Sequence, residues 1–314
     1  MASLSSLITE ARNPNSEHID ELSTLEMLTV INQEDETVAA AVASQLPSIA
    51  RAVDEIAARF AQGGRLFYIG AGTSGRLGVL DASECPPTFS VPTTLFHAII
   101  AGGDSALRTS SEASEDSAEQ GAADLIAAGF GAANPAANPG APAPLQPDTL
   151  VGIAASGRTP YVLGALAHAK SLGALTIGLT CVPGSPISQA ADIAITPATG
   201  PEVLTGSTRL KAGTATKLVL NMISTGVMVR TGATYGNLMV NMRPTNAKLV
   251  DRAQRIIAEI VGCAAAAAAR LLADSGNNVK TAIVMGKLSL DRVAAESRLA
   301  NANGLLRSAL NPEP

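Results

Sequence analysis

The sequence has no tryptophan, and its three tyrosines and five phenylalanines leave aromatics at only 3% of 314 residues. Its core must therefore be built from small aliphatic side chains. Cysteine is nearly as scarce. Cys85, Cys181 and Cys263 are odd in number and far apart, which excludes a disulfide framework and a cysteine zinc site. His18, His97 and His168 are equally scattered. A reducing cytoplasm and chemistry without a bound metal are the expectation. Basic excess is absent too. The formal net charge of −5 argues against nucleic acid as a partner, because phosphates need cations to neutralise them. No apolar run is long enough to span a bilayer. Met1-Ala2-Ser3-Leu4 lacks the basic start and apolar segment of a signal peptide. What remains, 46% apolar and 16% charged residues, describes a globular protein of one or two domains.

The most informative stretch is Gly70 to Pro87, GAGTSGRLGVLDASECPP. It follows an apolar run, Leu66 to Ile69, that reads as a buried strand. Gly70, Gly72 and Gly75 let the backbone turn tightly and approach a ligand. Thr73 and Ser74 supply hydroxyls and a helix N-cap. A helix should follow and stop at Pro86-Pro87, since neither ring can donate a helical hydrogen bond. Strand, glycine loop and helix start make an anion site from free N–H groups and the positive end of the helix dipole. The spacing also matches a dinucleotide fingerprint, but a lone match is weak, and no acidic residue closes the next strand, Leu95 to Ile100. The hydroxyls suit a phosphate monoester better, so sugar-phosphate binding ranks above NAD.

A second loop of the same kind follows strand Leu150 to Ala154. It reads Ala155-Ser156-Gly157-Arg158-Thr159 and opens a helix to about Leu172. Two such loops in one domain point to a shared anion site. Further strands, Ala174 to Leu179 and Ile193 to Ile195, alternate with helices and imply a mainly parallel sheet covered on both faces. Ligands then bind beyond the carboxyl ends of the strands. Gly206 to Ala215 opens a long helix to about Arg230, and Lys211 in its first turn is unfavourable with the dipole unless it faces an anion. Ahead of the sheet, residues 1–62 read as packing helices, with a polar cluster at Thr9-Glu10-x-Arg12-Asn13. A helix from Ser105 to Leu125 should place Glu112, Glu115 and Asp116 on one face. Phe130 to Asp148 is rich in alanine and proline and reads as an irregular surface loop. Beyond Asn237 the chain reads as helices, with Thr281 to Met285 ambiguous.

With these segments placed, the chain resembles the N-acetylmuramic acid 6-phosphate etherases of the sugar isomerase (SIS) superfamily. Thr9-Glu10, Ile31-Asn32 with Glu34-Asp35, GAGTSGRLGVLDASECPPT, Glu112 to Asp116, GIAASGRTPYV and TGSTRLKAGTATKLVLNM carry the likeness. The resemblance implies an α/β fold, a three-layer parallel-sheet SIS domain at 58–245. An N-terminal helical segment at 1–57 and a small helical part at 246–314 would flank it. It implies cleavage of a lactyl ether to N-acetylglucosamine 6-phosphate and D-lactate by a cytoplasmic homodimer that needs no cofactor. Glu84 is the expected acid, its pKa raised by a helix C-terminus and apolar prolines, and Glu115 the expected base. Gly72, Thr73, Ser74, Ser156, Gly157, Arg158, Thr159 and Lys211 are the expected phosphate and sugar contacts. Cys85 reads as a small buried hydrophobe. A sugar-phosphate sensor without catalysis and an aldose–ketose isomerase are the alternatives.

Overall fold

The computed structural model describes residues 8–109, 115–132 and 147–311. The chain folds as two compact units, Met1–Glu84 with Thr93–Gly226, and Cys85–Pro92 with Val227–Pro314. This differs from a division at 57/58 and 245/246, and packing explains why. In the first unit, α1 (Thr24–Ala43) opens on a reciprocal capping box between Ser23 and Glu26. Next, α2 (Leu46–Ala61) buries Ile49, Ala52, Val53 and Ile56, so both helices belong with the sheet. In the second unit, Val240 and Met242 join the core of the C-terminal helices.

The sheet is five-stranded and parallel. Its strands are β1 (Leu66–Gly70), β2 (Phe96–Ile100), β3 (Thr149–Ile153), β4 (Leu175–Leu179) and β5 (Ile193–Ile195), in the order β2-β1-β3-β4-β5. Every residue of β1, β3 and β4 is buried, as strands covered on both faces must be. The order reverses between β1 and β3, which is where ligands bind in such sheets. Leu66 pairs with Thr149 and Gly70 with Ile153, so both strands end at one level and their loops start side by side. Their entry is fixed by Arg65, whose backbone and guanidinium both donate to the buried Asp148. Phe130 is buried as well, so the ends of the 130–148 segment are anchored rather than superficial.

Two helices frame the loops. From Gly72 to Phe89, α3 continues through Pro86 and Pro87 instead of stopping at them. The buried side chains of Cys85 and Phe89, one helical turn apart, offset the proline cost of about 3 kcal/mol. Within the same unit Asn241 donates to the carbonyl of Phe89 at 2.7 Å and closes the helix end. The expected 105–125 helix is divided. Asp104–Leu107 is a 3-10 turn, and α4 (Ala118–Ala127) starts only at Ser117, which caps it. Glu115 and Asp116 precede α4, so they share no helix face, and Glu112 lies outside the described residues. From β3 the chain leads through its loop into α5 (Pro160–Ser171). After α6 (Pro186–Ala190) the chain reaches α7 (Lys211–Arg230).

Among the described residues, the second unit holds a hairpin of β6 (Thr234–Tyr235) and β7 (Leu238–Met239), and five helices. These are α8 (Ala247–Val261), α9 (Ala265–Asp274), α10 (Val279–Leu288), α11 (Arg292–Asn301) and α12 (Leu306–Leu310). The ambiguous Thr281–Met285 stretch is the buried face of α10. Among the described residues no single helix is long and apolar enough to cross a membrane.

Candidate active site

The two loops at the strand reversal enclose a cavity of about 280 Å³. From the loop after β1 it takes Ala71, Gly72, Thr73 and Ser74, and from the loop after β3 it takes Ala155, Ser156 and Thr159. Backbone geometry explains the residue types. Gly72 has φ of +50°, and a Cβ on Gly75 would stand 2.6 Å from Cγ1 of Ile100. Thr159 occupies the N-cap position of α5 without making a capping hydrogen bond. The residue itself lines the cavity. Two helix starts, those of α3 and α5, converge on this space, which suits an anion. Among the described residues no Lys or Arg lines it. Backbone dipoles and hydroxyls are what the cavity offers a phosphate.

The start of α7 is used differently. Both carboxylate oxygens of Glu202 accept from the backbone N–H groups of Lys211 and Ala212, each at 2.9 Å. The protein's own carboxylate thus fills the anion position at that helix. Lys211 itself is buried, and its ammonium meets Glu34 instead of the cavity. The misfit of a cation at a helix start is resolved internally, so Lys211 is placed as a structural ion pair. Burial works against the Glu34 anion, but hydrogen bonds from Asn15, Lys211 and Asn13, with the charge of Lys211, outweigh it. The carboxyl is held below its ordinary value of 4.5.

Of the other expected contacts, Gly157 shapes its loop from behind. Its φ is +68°, and a Cβ there would lie 2.1 Å from Oγ of Ser185. Neither Gly157 nor Arg158 lines the cavity. The expected carboxylates are separated. Glu115 lines the cavity. Glu84 does not: it is exposed on α3, about 15 Å along the helix axis from Ser74. It stands more than a turn before the end of α3 instead of at its C-terminus.

The structure also brings in residues that the sequence reading left out. Glu10, Thr208, Gly213 and Thr216 line the same cavity. Arg76 donates to the carbonyls of Ala106 and Leu107 at 2.8 and 3.1 Å, holding the turn that leads toward Glu115. The signals were present in Thr9-Glu10 and in GSTRLKAGT, but only a fold brings those segments to the β1 and β3 loops. Among the described residues no group of three His, Cys, Asp or Glu side chains is placed to hold a metal. Burial pushes the Cys181 thiol up to about 12, and the charge of Glu202 adds to it. That thiol is not a nucleophile.

A parallel sheet with two hydroxyl-bearing loops at its reversal defines a SIS-type protein. The family described as "SIS domain" matches residues 134–225, and "Glucokinase regulatory protein N-terminal SIS domain" matches 48–170. Full-length relatives narrow the class. The chain is 57% identical over 303 residues to an N-acetylmuramic acid 6-phosphate etherase of Aeromonas hydrophila, covering 96% of this chain and 97% of the relative. It is 53% identical over 310 residues to one from Aliivibrio fischeri, covering 99% of each. A phosphoheptose isomerase structure from Francisella tularensis aligns with 66% of this chain and 98% of its own, at 18% identity and a TM-score of 0.46. The chain belongs to the N-acetylmuramic acid 6-phosphate etherase family.

Proposed function

We propose that this protein cleaves the lactyl ether of N-acetylmuramate 6-phosphate, giving N-acetylglucosamine 6-phosphate and D-lactate. One observation carries the reading: relatives named for this activity match at 53–57% identity along nearly the whole of both chains. The cavity supports it. Thr73, Ser74, Ser156 and Thr159 would hold the phosphate at the starts of α3 and α5. In the open-chain sugar the C1 aldehyde acidifies the C2 proton. Glu115 takes that proton, and the electron pair forms the C2–C3 double bond as the C3–O bond breaks. An acid protonates the departing lactate oxygen. Water then adds at C3, and a proton returns to C2.

Glu84 is the acid by family analogy. In one chain it stands on the outer face of α3, away from the cavity, so a second copy must present it. We infer a homodimer, with the active site completed between copies, and a cytoplasmic location in keeping with the family. The test is to incubate the purified protein with N-acetylmuramate 6-phosphate, without metal or nicotinamide, and assay D-lactate. Release of lactate is the expected result. Binding without turnover would favour a sugar-phosphate sensor, and ketose formation without lactate an isomerase.

A further inference from the structure

We propose that Glu10 opens the sugar ring. The inference rests on the etherase reading and adds to it a step that neither Glu84 nor Glu115 performs. Glu10 is the second carboxylate lining the cavity, together with Glu115. Its position is built by the fold. Thr9 beside it is buried. The amide of Asn13 donates to the carbonyl of Pro201 at 3.3 Å, and the hydroxyl of Ser16 donates to that of Val203 at 2.7 Å. These bonds stitch the segment after Glu10 to the one before Gly206. Oε2 of Glu10 then lies 3.1 Å from the point where a Cβ on Gly206 would stand. No hydrogen bond or ion pair engages the Glu10 carboxylate among the described residues.

A carboxylate facing a bound sugar seeks O–H and N–H donors and avoids anions. The substrate brings two anions, its phosphate and its lactyl carboxylate, so Glu10 must face the remaining donors. In the cyclic sugar these are the hydroxyls on C1 and C4 and the amide N–H. Only the C1 hydroxyl has to give up its proton, because a cyclic hemiacetal has no aldehyde to acidify C2. In opening, Glu10 takes the O1 proton, C1 and O1 form a carbonyl, the C1–O5 bond breaks, and the proton is delivered to O5. Protons and electrons balance with no further reactant. Glu115 can then work at C2 on the aldehyde.

The test compares wild type with Glu10→Gln on N-acetylmuramate 6-phosphate bearing hydrogen or deuterium at C2. Lactate release should fall on the order of 100-fold in the variant, the usual scale for losing one acid–base group. The deuterium isotope effect should shrink toward unity, because opening becomes limiting. Added imidazole, which opens the ring in solution, should restore part of the rate to Glu10→Gln and none to Glu115→Gln. If the wild type itself expresses no isotope effect, the imidazole response decides. No lactate from wild type would overturn the etherase reading and this inference together. An active wild type with an undiminished Glu10→Gln would overturn this inference alone. So would a slow variant that keeps its full isotope effect or ignores imidazole. Should Glu10→Gln not fold, Glu10→Asp, with its carboxylate drawn back by one methylene, is read in the same way.

Discussion

The ammonium of Lys211 lies 2.5 Å from Oε2 of Glu34, and both side chains are buried. The other Glu34 oxygen accepts from the amide of Asn15 at 2.7 Å. The pair ties α1 to the start of α7, directly behind the cavity-lining residues Thr208 and Gly213. Removing one partner leaves an uncompensated buried charge. Lys211→Met should therefore destabilise the protein by about 3–5 kcal/mol. Thermal unfolding would show this as a lowered Tm.

The same pair sets a pH dependence. The folded carboxyl of Glu34 is held below its ordinary value of 4.5, so the folded state binds its proton less readily than the unfolded chain does. The stabilisation is complete above that ordinary value and is lost as pH falls through the lower folded value. Thermal melts of wild type should fall more steeply on acidification than those of Glu34→Gln. Parallel acid profiles for the two proteins would contradict the assignment.

Asp81, three residues before Glu84, has a structural part in the LDASEC motif. It is buried and accepts from the hydroxyl of Tyr68 at 2.9 Å, the amide of Asn221 at 2.7 Å and the hydroxyl of Ser224 at 3.0 Å. One side chain thus joins β1, α3 and α7. Asp81→Ala removes the acceptor that these three donors share, at about 1–3 kcal/mol for a lost buried partner. A large drop in Tm is expected, while KM of the protein that remains folded stays at the wild-type value. A raised KM with an unchanged melt would move Asp81 into the substrate site.

The strands and their glycine loops could be read from local pattern, because both signals are short-range. Continuous apolar runs ended by Gly, Ser and Thr are enough to mark Leu66 to Ser74 and Leu150 to Thr159. The errors arose where distant packing overruled local preference. Pro86 and Pro87 stay helical because Cys85 and Phe89 are buried. The 105–125 helix breaks because Ser117 caps a new start. Lys211 reads as a ligand contact only while Glu34, 177 residues away in sequence, is out of view. Glu10 is missed for the opposite reason. Nothing near it in sequence shows that Asn13 and Ser16 dock beside Pro201 and Val203.

Gly157 tests the loop geometry separately from its chemistry. An alanine there would need a positive φ and would bring its Cβ to 2.1 Å from Ser185 Oγ. The loop must shift, and with it the neighbouring Ser156 and Thr159. Gly157→Ala should raise KM on the order of tenfold or more, in line with losing at least one hydrogen bond to a charged phosphate. Steady-state kinetics at varied substrate would reveal it, and a variant with wild-type KM would remove the β3 loop from phosphate binding.

The placement of Glu84 and Glu115 calls for an experiment with mixed subunits. Glu115→Gln and Glu84→Gln should each lower kcat on the order of 100-fold or more while the substrate still binds. If each site pairs Glu115 of one copy with Glu84 of another, mixing the two inactive proteins rebuilds one intact site in every mixed dimer. The partner site in that dimer carries both substitutions. Random exchange makes half the dimers mixed, so about a quarter of wild-type activity should return. If both residues serve the same chain's site, mixing restores nothing, because every site lacks one carboxylate. Recovery after subunit exchange thus reads the geometry directly. Its absence, with exchange shown by mass-tagged subunits, would require Glu84 to act within its own chain or not at all.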